Sequence, residues 1–210
     1  MDMTEIQLER LTRAAVLLLA DNTTGINVEI DDQNTSWGGG GELDDPQFWT
    51  ALGLTDPEAQ VEHIEQGNFY PGHVPSLMDA LIDKYPNLAV MANRADALPS
   101  TDDWAEQYAV GLAVEIMCRA ECSSDRPSQD EDARAAELVN MRINRTVVAA
   151  HKVMMSDAAR SFMSLVPKIG NTPNVITTDV FVAHQEKGRG PRWFWQGARL
   201  DYRIVQWLNY

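Results

Sequence analysis

The sequence predicts an α+β fold, in which a mixed, mostly antiparallel sheet of four to five strands carries two longer helices packed on one face. The stretch QYAVGLAVEIMCR, residues 107–119, alternates apolar with polar or small residues, which is typical of a strand that buries one face. Residues 130–155 instead repeat apolar side chains every three or four positions, which indicates an amphipathic helix. The apolar stripe of that helix needs a flat apolar partner, and the preceding strand supplies one.

The two longer helices are predicted at residues 4–20 and 130–155. The second begins with acids and gains Arg and Lys later, a charge order that suits the helix dipole. Each helix has a stripe that we expect to be buried, formed by Leu8, Leu11, Ala15 and Leu18 in the first and by Ala136, Val139, Ile143, Val147, Ala150 and Met154 in the second.

Between these helices the pattern is less regular. Ile26, Val28 and Ile30 alternate with polar residues, which predicts a short strand. The stretch DDQNTSWGGGGELDD, residues 31–45, predicts a flexible Gly-rich loop inserted in a single domain that spans residues 1–210. Proline and glycine punctuation predicts three short helical pieces, at residues 45–53, 56–67 (whose end could instead be extended) and 75–85.

The remaining strands lie in the C-terminal part. Residues 87–92 predict a short strand, and residues 93–106 a loop. After the long helix, a turn or short helix is expected at residues 156–166, and a strand at 175–185. The basic turn EKGRGP then joins it in a hairpin to a last strand, whose apolar face is Leu200, Tyr202, Ile204, Leu208 and Tyr210 and whose polar face is Arg199, Asp201 and Arg203.

The final hairpin holds the residues that this layout leaves unexplained. Neighbouring side chains in a strand point to opposite faces, so the consecutive aromatic residues Trp193, Phe194 and Trp195 cannot all face one core. The basic turn beside them is either solvated or a contact to an acidic neighbour such as another copy of the chain. We predict a subunit or partner interface formed by Lys187, Arg189, Arg192, Trp193, Phe194, Trp195 and Trp207.

Composition excludes several classes of function. The 210 residues include 31 acidic and 17 basic ones, and the formal net charge of −14 argues against a dedicated reader of DNA or RNA and against docking on anionic membranes. No segment reaches about 18 uninterrupted apolar residues, so no membrane span is expected. Cys118 and Cys122 lack the second ligand pair of a zinc site and are interpreted as reduced structural thiols.

Catalytic signatures are also missing from the sequence. It contains no GxSxG or HExxH motif, and its GGGG run lacks the GK[ST] of a phosphate-binding loop. We therefore expect no cofactor and no enzyme activity. The alternative is a metal-dependent enzyme, because the acid pairs Asp31–Asp32 and Asp44–Asp45 flank the glycine run and paired carboxylates bind Mg²⁺ or Ca²⁺. A small binding module that docks through its aromatic end is a third possibility.

Residues 60–210 resemble the tail terminator and related head-to-tail connector (neck) proteins of long-tailed bacteriophages. The resemblance lies in the order of four pieces: residues 67–92, the strand YAVGLAVEIMCRAE, the Ala- and Arg-rich helix ARAAELVNMRINRTVVAAHKVM, and a final hairpin that ends in ARLDYRIVQWLNY. Residues 22–56 have no counterpart in that family.

The resemblance implies a structural virion protein. It implies a homo-oligomeric ring, commonly a hexamer, that caps the tail tube, contacts the tail tube protein and the head-tail connector or stopper protein, and leaves a channel for DNA. It also implies a location in the tail neck of the virion after synthesis in the host cytoplasm, with no membrane contact. A head-completion or adaptor protein of the connector is the alternative within the same class. The family has no catalytic residue or cofactor to transfer.

Overall fold

The computed structural model of the chain describes residues 3–36, 60–72, 85–98, 105–122, 129–162, 174–177, 179, 181–186 and 189–209. The helices in these ranges are α1 (Met3–Leu19), α2 (Ile26–Ser36), α3 (Gln129–Met154) and α4 (Asp157–Phe162), with one 3₁₀ turn at Gln66–Asn68. The strands are β1 (Phe69–Pro71), β2 (Asn87–Leu98), β3 (Ala105–Cys122), β4 (Asn174–Thr177), β5 (Phe181–Glu186) and β6 (Arg189–Asn209).

These strands form one mixed sheet that is five positions wide. The order is β1-β2-β3-β6, and the fifth position is shared by β4 and β5, which pair end to end with the same edge of β6. Only the β1–β2 pair is parallel among these strands; the other pairs are antiparallel. The predicted α+β class, with a mostly antiparallel sheet and helices packed on it, is confirmed.

The helices α1 and α3 pack on one face of this sheet. Helix α3 lies across β3 and β6, α1 lies on β2, and α2 packs against α3. The stripes predicted on both long helices enter this core, although Leu8 and Ala136 are only partly buried. The strand residues in this core include Leu88 and Val90 of β2 and the apolar residues at even positions of β3 and β6, namely Val110, Leu112, Val114, Ile116, Cys118, Ala120, Cys122, Phe194, Ala198, Leu200, Tyr202 and Ile204.

Helix α2 corrects the sequence prediction, since a strand at Ile26–Ile30 is wrong. Ile26, Ile30 and Gln33 are all buried, and their spacing of four and three residues is that of a helix face. The turn before α2 is closed by Asp21, whose Oδ1 accepts hydrogen bonds from the backbone N–H groups of Thr23 and Thr24, each at 2.8 Å. The first six residues of the predicted Gly-rich loop therefore belong to α2, and residues 37–45 lie outside the described ranges.

Two further boundaries differ from the predictions. Strand β2 continues to Leu98, where the sequence predicted a loop, because its backbone pairs with β3 as far as Leu98↔Gln107. The piece predicted at residues 56–67 is not helical over residues 60–65; Glu65 has an extended backbone, as in the alternative of an extended end, and a 3₁₀ turn follows. The helical piece predicted at 45–53 lies outside the described residues, and so does the piece predicted at 75–85, except for Tyr85, which is not helical.

The last strand is an interior strand of the sheet. One edge of β6 pairs with β3 from Arg192 to Asn209, and the other edge pairs with β4 and β5. Leu200, Tyr202 and Ile204 are buried against the helices, as predicted for the apolar face. The side chain of Leu208 and residue 210 lie outside what the structure describes. The C-terminal aromatic stretch is thus mainly sheet interior.

Candidate interaction surface

The face of the sheet opposite α1 and α3, which we call the distal face, carries the residues at odd positions of β3 and β6. Paired residues in an antiparallel ladder place their side chains on the same side. The register therefore sets three cross-strand pairs side by side on this face: Glu121 with Trp193, Arg119 with Trp195, and Glu115 with Arg199.

The three consecutive aromatic residues divide between the two faces, as strand geometry requires. Phe194 is 4% exposed and belongs to the core under the helices. Trp193 and Trp195 point to the distal face, where Trp193 is 9% exposed and Trp195 is partly exposed. Of the predicted interface residues, Phe194 is therefore held inside its own chain, and the two tryptophans lie on the distal face.

Four residues of the distal face form an aromatic–arginine cluster, made of Tyr85, Arg119, Trp193 and Trp195. The guanidinium carbon of Arg119 lies 4.5 Å from the ring centroid of Trp193 and 5.9 Å from that of Tyr85. The Tyr85 and Trp195 rings are 6.4 Å apart, centroid to centroid, at an angle of 54°. Distances below about 6 Å between a cation and a ring are those of cation–π contacts.

Four polar atoms of this cluster have no hydrogen-bond partner among the described residues. The Tyr85 hydroxyl, the Arg119 Nη1 and the indole Nε1 atoms of Trp193 and Trp195 are buried without a hydrogen bond. Burial raises the pKa of Tyr85, and the nearby Arg119 charge only partly opposes this shift. The hydroxyl therefore keeps its proton at neutral pH, so every one of the four groups is able to donate a hydrogen bond.

Sequence reasoning found the two tryptophans but missed Tyr85 and Arg119. Arg119 is one of the polar residues that alternate with apolar ones in residues 107–119, a pattern that indicates its face of the strand but gives no neighbour. Tyr85 precedes β2 and is brought to Arg119 only by the pairing of Asn87 with Met117. The cluster is therefore a product of the strand register.

A second group on the distal face is internally neutralised. Arg199 donates from Nη1 to Glu115 Oε1 at 3.1 Å and from Nε to Asp201 Oδ1 at 2.8 Å. The hydrogen bond to Asp201 is the main cause that raises the pKa of Arg199. This arginine has two carboxylate partners, whereas Arg119 has none within the ranges that the structure describes.

The basic turn predicted as an interface is only partly described. Arg192 forms an ion pair with Asp132, an acid in the first turn of α3. Arg189 pairs with Glu186 in the strand register, and Trp207 pairs with Gln107, but their side chains lie outside what the structure describes. Lys187 lies outside the described residues. The structure thus brings Arg192, Trp193 and Trp195 to one end of the sheet, and Trp207 pairs near its other end.

The acid pairs considered for metal binding do not form a cluster in the described residues. Asp31 lies on α2 and its Oδ1 is 2.6 Å from His63 Nε2; Asp44 and Asp45 are outside the described ranges. Within those ranges, no group of three or more His, Cys, Asp and Glu side chains is placed to hold a metal ion. Cys118 and Cys122 are free buried thiols, and burial raises the pKa of Cys118 to about 12.

No helix in the described part of the chain has the length and apolar character needed to cross a membrane. No protein-family model matches the chain, and no curated protein matches it.

Proposed function

We propose that the chain is a structural protein of the phage neck, a tail terminator that forms a ring, caps the tail tube and joins it to the head connector. The observation that carries the proposal is the α+β architecture of the described part of residues 60–210, the range over which the sequence resembles this family. A sheet flanked by helices is the fold that the resemblance implies, and the chain has it.

The distal face supports the same proposal. In a closed ring, two different surfaces of one chain meet at every interface. Aromatic residues and Arg are enriched at the centres of protein interfaces, and Tyr85, Arg119, Trp193 and Trp195 supply both on one side of the sheet.

The net charge of −14 suits a channel for DNA. A protein binds DNA mainly by replacing the counterions at phosphates with Lys and Arg. An acidic ring wall offers few such cations, so DNA slides through without being held. We expect the purified protein to leave duplex DNA unshifted in a gel at low and at high salt.

The test is assembly. Light scattering and negative-stain microscopy of the purified chain are expected to find ring-sized particles, or a monomer that becomes a ring on purified tail tubes. Capped tubes are expected to stop growing when tube protein is added. A chain that stays monomeric and binds neither tubes nor connectors contradicts the proposal. Binding to connectors without binding to tubes identifies the head-completion or adaptor role instead.

A further inference from the structure

We infer that the aromatic–arginine cluster of the distal face is a binding site for a carboxylate of a second copy of this chain. The site would be one side of the ring interface, so the inference rests on the proposed function. Neither the sequence pattern nor the ring itself assigns Tyr85 or Arg119 to this role.

The first argument is the unmet hydrogen-bonding capacity of the cluster. A buried donor without a partner is destabilising, and native proteins keep few of them. This cluster holds four such groups, one on the Arg119 guanidinium and three on the rings around it, and two of the residues, Tyr85 and Trp193, are more than nine-tenths buried. Trp195 is partly exposed, so the cluster reaches the molecular surface at that ring. Donors gathered in this way indicate that an acceptor group is supplied from outside the chain.

The second argument identifies the acceptor as an anion. Trp193 and Trp195 have only an N–H to offer, and Arg119 has only donors. The guanidinium of Arg119 already lies over the Trp193 ring, so a cationic ligand would meet a like charge there. A carboxylate satisfies donors from several directions at once and neutralises Arg119.

The third argument concerns the source of the carboxylate. Two other arginines of β6 are neutralised by acids of their own chain. Arg192 forms an ion pair with Asp132, and Arg199 forms ion pairs with Glu115 and Asp201. Arg119 has no acidic partner among the described residues. A chain with 31 acids against 17 Lys and Arg presents an excess of carboxylates on its surface. Another copy supplies the negative charge that Arg119 lacks. In a ring it also contacts the cluster through a different surface of the chain, so its carboxylates can reach the cluster.

The test removes donors and keeps an aromatic ring at each position, although Phe is smaller than Trp. The variants are Tyr85→Phe and the pair Trp193→Phe with Trp195→Phe, and self-association is measured by sedimentation velocity of the full chain, alone and on purified tail tubes. We expect each to weaken association about tenfold or more. Because the Tyr85 hydroxyl has no partner in the described part of the chain, the midpoint of thermal unfolding should not fall for Tyr85→Phe.

The matched control is Tyr202→Phe. Its hydroxyl lies on the helix side of the sheet and is hydrogen-bonded to His151 Nδ1 at 3.3 Å. Removing it is expected to lower the unfolding midpoint and to leave association unchanged. A second control, Arg13→Met on α1, removes an exposed positive charge of the helix layer, whereas Arg119→Met removes the one in the cluster. Only Arg119→Met should weaken association and reduce its dependence on salt.

Four results would overturn the inference. If the cluster variants assemble like the wild type, the cluster is not part of the ring interface. The proposed ring itself would then still stand. A fall in stability of Tyr85→Phe equal to that of Tyr202→Phe, with association intact, would assign the hydroxyl an internal role. Quenching of tryptophan fluorescence by a single-stranded oligonucleotide, lost in the Trp→Phe pair, would make the cluster a platform for bases. Failure of the wild type to assemble, alone or on tubes, removes the second copy as occupant and counts against the ring as well.

Discussion

At the scale of single residues, His151 is a group whose charge state the fold biases. It lies near the end of α3 and stacks on Tyr202 of β6, with ring centroids 6.1 Å apart. Burial lowers the pKa of His151 below its usual 6.5 and raises the pKa of Tyr202. The neutral ring is therefore the form that the folded state favours, and this partly buried histidine packs against the core residue Tyr202.

We predict that acid weakens the fold through His151. Since its folded pKa is lowered, the unfolded chain takes up the proton first. The stability that the neutral ring contributes is thus present above pH 6.5 and is lost as pH falls through the folded pKa. Urea unfolding from about pH 8 to about pH 5 should show a loss of at most about 1.4 kcal/mol per pH unit from this proton. In His151→Gln that part of the slope should vanish; an unchanged slope would contradict the assignment.

At the scale of elements, α2 is held to the segment before β1 by two asparagines. Asn27 donates from Nδ2 to the Ile64 carbonyl and accepts from the Ile64 N–H, both at 2.9 Å. Asn34, seven residues on, does the same with Val61, both at 3.0 Å. The helix side chains take the place of a neighbouring strand, and they satisfy the backbone of an irregular segment whose apolar side chains are buried.

Loss of one such pair of asparagine–backbone hydrogen bonds should lower the stability of the fold clearly. Asn27→Ala would leave both backbone groups of the buried Ile64 without a partner, so we expect a loss of about 2–4 kcal/mol in the free energy of unfolding. Gln66→Ala removes two exposed hydrogen bonds of the side-chain amide, to the Ala20 carbonyl and to Asn22 Oδ1, and should change stability by less than about 0.5 kcal/mol. Urea denaturation compares the two. Equal effects of the two variants would show that the Asn27–Ile64 hydrogen bonds contribute little to stability.

Helix α3 offers a second comparison, between its two faces. Ile143 is fully buried against the sheet, while Val148 is 49% exposed on the same helix. We expect Ile143→Ala to reduce the free energy of unfolding by about 2–5 kcal/mol, because it leaves a cavity in the core. Val148→Ala should stay within about 0.5 kcal/mol of the wild type. Similar losses at both positions would contradict the burial pattern, and chemical denaturation measures both.

At the scale of the whole molecule, β6 connects the largest share of the sheet. It pairs with β3 along most of its length and is the strand to which both β4 and β5 are joined. A sheet that loses an interior strand also loses the ladders on both of its edges. The end of the chain is therefore part of the folding unit, as well as the source of Trp193 and Trp195.

We predict that deletion of residues 193–210 abolishes cooperative folding. The truncated chain should show no sigmoidal thermal transition by circular dichroism and should be digested rapidly under conditions in which the full chain resists protease. A truncated chain that unfolds with the wild-type midpoint would instead make this stretch a docking tail, and the interior position of β6 would be wrong.

The sequence by itself determined the long periodic elements. Helices α1 and α3 and strands β3 and β6 each repeat their apolar residues often enough for one period to dominate, and a stripe of that length must be buried wherever the chain folds. The fold class and the apolar face of β6 followed from these four elements. The alternation at Trp193–Trp195 also followed, because it depends only on strand geometry.

Tertiary structure decided the conformation of short segments and the contacts between residues that are far apart in sequence. Ile26, Val28 and Ile30 fit both a strand and a helix, and the contacts with α3 and with the 61–64 segment select the helix. Tyr85 and Arg119 are far apart in sequence, and only the β2–β3 register places one ring beside one guanidinium. The sequence pattern of a segment gives its period, but it does not say which face contacts which neighbouring element. The distal cluster consists of contacts between different elements, so the pattern of any one segment could not predict it.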